Sequence, residues 1–197
     1  MQLLHGAQPG NVYWFVGSSA TIGDYSTMIG HIIAYASITF NSYSTLSGRA
    51  IAGAAITFAS GSTVKLAIQT GVVPTAAPTA APSTALSATS TPSAQPIIAP
   101  SINFRGCTGF VLEAESTITF GGAHTSVTGD IGISPGTSIT GDYGQSTYGV
   151  THINDAKAAT CSADMKAILA EGAAQPCMNI AAELGECMHL FYHDNNN

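Results

Sequence analysis

Apolar and small polar residues alternate with a period of two in short runs along the first third of the chain. Ser37-Ile38-Thr39-Phe40 recurs as Ala55-Ile56-Thr57-Phe58 and, less closely, as Ser19-Ala20-Thr21-Ile22. A second series runs Ser26-Thr27-Met28, Ser44-Thr45-Leu46 and Ser62-Thr63-Val64, and both series repeat at an offset of 18 residues. Strict alternation marks half-buried strands, and Gly30 and Gly48 follow the second strand of the first two units, where a turn is needed. A unit of this length is too short for a helical repeat, which needs about 33 residues. Shared among three strands it gives ~6 residues per side, or roughly 20 Å at ~3.3 Å per residue. The unit predicted is one coil of a right-handed triangular β-solenoid (a β-helix). Ile38, Phe40, Ile56 and Phe58 then point inward, while Thr39 and Thr57 face out. One coil cannot bury its own apolar side, so the coils must stack.

The same pattern returns less regularly further along. Thr117-Ile118-Thr119-Phe120 keeps the alternation, and Val127-Thr128-Gly129 is echoed by Ile139-Thr140-Gly141. Gly132-Ile133-Ser134-Pro135-Gly136 reads as a type II turn with Pro at its second position and Gly at its third. Asp130 is placed to bond nearby backbone N–H groups as an Asx-turn does. One long helix is predicted at about 152–171, packed alongside the solenoid, with Thr151 as N-cap, Asp155 in the first turn, and Gly172 and Pro176 closing it. Ile153, Ala156, Thr160, Ala163 and Ala167 trace the small-residue face expected to lie against a sheet.

Between the two halves the pattern vanishes. No residue from Lys65 to Arg105 is charged apart from those two, and six of the nine prolines fall there. The stretch is read as a semi-extended, mucin-like linker. The chain is therefore divided into solenoid coils at 1–70, a Pro/Ala/Thr/Ser-rich linker at 71–104, and a second solenoid segment with the helix and a polar tail at 105–197.

Charge narrows the function. The 197 residues hold five Lys plus Arg against 11 Asp plus Glu, and only 8 % are charged, where roughly 25 % is usual. That argues against a nucleic-acid or anionic-membrane surface, which needs a basic face. No apolar run approaches the ~20 residues of a membrane-spanning helix, so no membrane insertion is expected. The first residues carry no basic and apolar leader pattern. The four cysteines, Cys107, Cys161, Cys177 and Cys187, allow three full pairings, and with no export signal in view disulfides are open rather than expected.

Several segments resemble the microbial ice-binding (antifreeze) protein family, whose fold is a discontinuous β-solenoid with a long helix along one side. The most specific runs from Val127-Thr128-Gly129-Asp130 to Ser138-Ile139-Thr140-Gly141 and resembles that family's near-N-terminal signature. Gly6-Ala7-Gln8 with Asn11-Val12-Tyr13-Trp14 is similar to the strand before the family's final coils. Gly30-His31-Ile32-Ile33-Ala34, Leu46-Ser47-Gly48-Arg49-Ala50 and Ala55-Ile56-Thr57-Phe58 extend the match, and Ala173-Ala174-Gln175-Pro176-Cys177 fits the helix end. The order is reversed, however: segments like the family's C-terminal portion come first, and the strands it places between the two are not visible. The resemblance implies an incomplete or circularly permuted solenoid, since the family's terminal segments pack side by side. Met1 falling within a motif, and the departing tail at Cys187-Met188-His189-Leu190-Phe191-Tyr192-His193, favour a piece of a longer protein with further tandem domains.

The function implied is binding of ice crystals through a flat Thr/Ser/Ala-rich face, which inhibits ice growth and recrystallisation, in an extracellular or cell-surface setting. The partner is ice or ordered water. Thr supplies a methyl that favours cage-like water and a hydroxyl that anchors it. The candidate rows are Thr21, Thr39, Thr57 and Thr27, Thr45, Thr63. Outward Thr is also simply a good strand former. Ala36 and Ala54 stand where family members often carry Thr, which predicts weaker binding. The alternative is a structural or adhesive cell-surface module without ice affinity, to which the Pro/Thr/Ala tract suits a stalk.

No enzyme is expected. Polysaccharide lyases share β-helical folds, but they need clustered carboxylates and basic groups. Here the only arginines are Arg49 and Arg105, and no Asp/Glu pair recurs at coil spacing. His189 and His193 with Cys177 and Cys187 match no strong zinc motif, so no metal or cofactor is assigned. His31 and His124 read as solvated or capping side chains.

Overall fold

The computed structural model describes residues 9–66, 102–141 and 149–174, and the backbone of 189–191. It is a mainly β solenoid of about five turns with one helix. The first coil is β1 (Tyr13–Val16), β2 (Ala20–Ile22) and β3 (Thr27–Ile29). The second is β4 (His31–Ala34), β5 (Ile38–Phe40) and β6 (Thr45–Ser47), and the third β7 (Ala50–Ala52), β8 (Ala55–Phe58) and β9 (Thr63–Lys65). Across residues 67–101 the chain resumes with a fourth coil, β10 (Phe110–Ala114), β11 (Thr117–Phe120) and β12 (Ser126–Thr128). Then come β13 (Asp130–Ile133), β14 (Ser138–Gly141), β15 (Thr151–Ile153), helix α1 (Ala156–Ala173) and β16 (His189–Phe191).

These strands form three sheets. Sheet A has the order β15-β13-β10-β7-β4-β1-β16, sheet B β14-β11-β8-β5-β2, and sheet C β12-β9-β6-β3. Every pairing is parallel except that of β1 with β16. The fourth coil lies directly on the third: β10 pairs with β7, β11 with β8 and β12 with β9. The strands on the two sides of residues 67–101 thus stack in register in one solenoid. Of the linker placed at 71–104, residues 71–101 lie outside the described residues, while Ile102 and Phe104 are buried in the core.

Alternation explains the interior. Ile38, Phe40, Ile56, Phe58, Ile118 and Phe120 are buried between the three sheets. Identical residues fall above one another, so Phe40, Phe58 and Phe120 stack with centroids 4.6 and 5.1 Å apart and planes within 9° of parallel. Burying each such side chain contributes about 1.5–3 kcal/mol. Sheet A is apolar on both faces, because a second cluster joins Tyr13, Phe15, Ile33, Ile51 and Phe110 to Ala158, Cys161, Met165 and Ile168 of α1.

The helix differs from expectation in its start and its face. Thr151–Ile153 is a strand paired with β13, and the N-cap is Asp155, whose carboxylate accepts the Ala158 N–H at 2.9 Å. The buried face is Ala158, Cys161, Ser162, Met165, Ile168 and Gly172 rather than Ile153, Ala156, Thr160, Ala163 and Ala167. The expected set is a neighbouring stripe of the same helix, and the larger Met165 and Ile168 bury more apolar surface than its alanines, so their side turns inward. Gly172 does not end the helix. It lies within α1 where a Cβ would come 2.2 Å from the Phe15 ring.

A disulfide joins Cys107 to Cys161 and ties α1 to the turn that opens the fourth coil; Cys177 and Cys187 lie outside the described residues. Arg49 binds the same region from the third coil, donating to the Cys107 and Phe110 carbonyls at 3.0 and 2.7 Å. His31 is neither solvated nor a cap. It is buried between Tyr13 and Phe104, with Nε2 3.2 Å from the Gly10 carbonyl, and burial followed by the nearby Arg49 charge lowers its pKa to about 4. The type II turn at Ser134-Pro135-Gly136 is not formed, since Gly136 does not take the positive φ that its third position requires. Asp130 bonds across coils rather than within its own turn: it accepts the Val150 N–H at 2.9 Å and Lys157 Nζ at 2.5 Å.

The corner between sheets B and C repeats a left-handed residue in each of the first four coils. Tyr25, Tyr43, Gly61 and His124 have φ of 54, 57, 74 and 66°. For a tyrosine this conformation costs about 1–3 kcal/mol, where glycine adopts it freely. Tyr25 and Tyr43 stack with centroids 5.1 Å apart and an interplanar angle of 12°, a contact worth about 0.5–1.5 kcal/mol beyond its area. One such stack does not offset two strained residues.

Candidate functional site

Among the described residues, the outer faces of two of the three sheets are uncovered. Sheet A is covered outside by α1, so a broad flat surface can only belong to sheet B or sheet C. On sheet B the register brings Thr21 opposite Thr39 and Thr39 opposite Thr57. It continues through Thr119 and Thr140, giving one threonine in each of five coils. Thr21, Thr57 and Thr140 are exposed, and Thr39 and Thr119 half-buried. Thr140 Oγ1 donates to Thr119 Oγ1 at 3.3 Å, so at this end the hydroxyls order one another.

A second outward row lies two residues back along each strand, with Ala55, Thr117 and Ser138 in register. Ser37 precedes it in the second coil, its N–H donating to Ser19 Oγ at 3.2 Å. The two rows are ~6.6 Å apart along the strand and their members ~4.8 Å apart across it. Neither carries a charge. Beneath them sits the Ile/Phe stack, whose close packing holds each rung against the next.

Sheet C is shorter and interrupted. Thr27, Thr45 and Thr63 align and continue to Ser126. The parallel outward row reads Ile29, Ser47, Lys65, Thr128, and the exposed Lys65 ammonium breaks its chemistry. Both candidate rows are thus aligned by the fold, on different faces. Thr119 and Thr140 were missed because their spacing does not follow the 18-residue offset. The signal that could have found them is the likeness of Thr117-Ile118-Thr119-Phe120 to Ala55-Ile56-Thr57-Phe58.

Ala36 and Ala54 lie not in strands but at the corner before sheet B, where the Ala54 N–H donates to the Ala36 carbonyl at 2.8 Å. A cluster of charged side chains lies away from both rows, at the N-terminus of α1. His152 Nδ1 is 2.6 Å from Asp155 Oδ2. Hydrogen bonds from Lys157 and then the Val150 N–H hold the Asp130 carboxyl below its usual range, and the Ala158 N–H followed by His152 does the same for Asp155. Among the described residues no group of three or more His, Cys, Asp or Glu is placed to hold a metal ion, and no helix is long and apolar enough to cross a membrane.

Compared with known families, residues 1–65 match the family described as Ice-binding-like. Those residues contain Thr21, Thr39 and Thr57 together with Thr27, Thr45 and Thr63. The comparisons with curated proteins and with solved structures gave no match.

Proposed function

We propose that this chain binds ice through the outer face of sheet B, and that Thr21, Thr39, Thr57, Thr119 and Thr140 form the contact row. The observation that carries the reading is the in-register run of five threonines on an uncharged sheet face backed by a close-packed core. Ice offers a periodic array of water oxygens, and each threonine makes only a weak contact with it. A row backed by such a core engages many such contacts at once without ordering them afresh, so little entropy is lost on binding. The methyl groups favour cage-like water and the hydroxyls anchor it. Adsorbed molecules force the ice front to curve between them, which suppresses growth and recrystallisation. The process needs no bond-making step, nucleophile or cofactor.

The family match over residues 1–65 supports the same reading and implies an extracellular or cell-surface setting. Sheet C, with Thr27, Thr45 and Thr63, is the secondary candidate, set behind sheet B by Lys65. The test is ice-affinity partitioning of the purified chain while a single crystal grows slowly in its solution. Enrichment in the ice fraction is expected. A folded chain left wholly in the liquid would overturn the reading in favour of a structural or adhesive module.

A further inference from the structure

We infer that the exposed Tyr25–Tyr43 stack is a binding platform for a neutral carbohydrate, separate from the threonine row. The turn itself does not call for tyrosine. The same corner closes in the third coil with Gly61, and the backbone bond is repeated: the Tyr25, Tyr43 and Gly61 N–H groups donate to Ser42, Ser60 and Ala123 carbonyls at 2.9, 2.9 and 3.0 Å. Both tyrosines hold a left-handed backbone that glycine would adopt without strain. Nor is the core served, because the rings remain 76 % and 55 % exposed. Two strained, solvent-facing aromatic residues in successive coils are instead shaped for something outside the chain.

The geometry selects the ligand class. Tyr43 lies over Gly61, its ring atoms 2.5 Å from where a Cβ would stand, so the stack is backed by the main chain. Tyr25 covers the other side of Tyr43 and offers its own second face to solvent at the first coil. Beside it Asp24 is pinned by the Ser42 N–H, which donates to Oδ1 at 2.9 Å; among the described residues Oδ2 accepts from none and can take a hydroxyl from a ligand. A flat aromatic face next to a fixed acceptor matches a pyranose ring, which has a C–H face and a rim of hydroxyl donors. Asp24 and the net charge of −6 disfavour an acidic sugar. An ammonium group is the competing ligand, but parallel rings give one flat face rather than the enclosing walls that hold such a cation.

The experiment is native electrophoresis through gels containing dextran, laminarin or galactomannan, against a glycan-free gel. The unmodified chain should be retarded by at least one of them. Tyr25→Gly should weaken the retardation several-fold, and Tyr25→Gly with Tyr43→Gly should abolish it. Both variants should melt at or above the parent temperature, because the left-handed strain is relieved. Should either fail to fold, Tyr25→Asn keeps a residue that tolerates this backbone and must show the same loss. Ice partitioning should not change in any of them, which separates this platform from the sheet B reading. No retardation in all three gels, retardation unchanged in the double variant, or retention on a lysine-rich peptide column instead would each overturn the proposal.

Discussion

Thr57 and Thr119 lie directly opposite one another on β8 and β11, although they come from opposite sides of the proline-rich stretch. That single pairing makes two short sheets into one five-stranded face. If the face adsorbs ice, its centre matters most, since a bulky group there lifts both neighbours away from the crystal. Thr57→Tyr with Thr119→Tyr should therefore cost most of the ice-bound fraction, while Thr45→Tyr on sheet C should leave it close to the parent. Thr57 is exposed and Thr119 and Thr45 are half-buried on outer faces, so stability should fall by no more than about 0.5–3 kcal/mol and both variants should stay folded. Undiminished partitioning by the sheet B variant would place the site elsewhere.

Much of this arrangement is legible in the residues themselves. Alternation set which side chains enter the core, because a one-residue slip would turn Ile38 and Phe40 to solvent. The regular offset then aligned Thr21, Thr39 and Thr57. The row's continuation was harder to see because Thr119 follows the linker and Thr140 lies 21 residues beyond it, so neither obeys the offset. The helix face was misread for a different reason. Alanine and other small residues surround α1, leaving a weak stripe in which only Met165 and Ile168 mark the side that packs on sheet A. The pairing of Cys107 with Cys161 needs Cys161 on that buried side, which the spacing of four cysteines does not reveal.

The disulfide gives a quantitative expectation. It closes a sequence separation of 54 residues, and in the chain-entropy model a loop of that size stabilises the fold by about 4 kcal/mol. Cys107→Ser with Cys161→Ser should lower the urea midpoint accordingly, with a somewhat steeper transition because the unfolded chain is no longer cross-linked. The ends of the loop would remain held by Arg49 on the Cys107 carbonyl and by the Gly106 N–H on Asp164, both of which survive the substitution. An unchanged midpoint would mean that these hydrogen bonds alone seat the helix.

Gly172→Ala sets two effects against each other. In a helix interior alanine is favoured over glycine by about 1 kcal/mol. Here its methyl would enter the Phe15 ring, and overpacking a tight contact costs about 1–3 kcal/mol. Phe15 sits in β1 within the sheet–helix cluster, so it cannot rotate away without opening that cluster. The steric term should win, and the variant should melt below the parent. A higher melting temperature would show that α1 rides loosely on sheet A.

Stability should also pass through a plateau in pH, for reasons that lie in two buried groups. Glu113 projects between sheet A and α1, neither carboxylate oxygen has a hydrogen-bond partner, and burial, then the Asp155 and Glu115 charges, push its pKa up to about 8. A group protonated more readily when folded contributes stability that is complete below its ordinary value of 4.5 and lost as pH rises through about 8. His31 acts in the opposite sense. Its pKa falls from 6.5 to about 4, so its cost appears as pH drops through that interval. Between about pH 4.5 and 6.5 the two slopes, each up to about 1.4 kcal/mol per unit, oppose and largely cancel. Above that range only the Glu113 loss remains, and toward pH 4 only the His31 loss. Asp130 and Asp155, both depressed, weaken the fold only at still lower pH. Glu113→Gln should abolish the alkaline decline and leave the acid one, as read from denaturation midpoints between pH 4 and 9. A decline that persists in Glu113→Gln would locate the titrating group elsewhere.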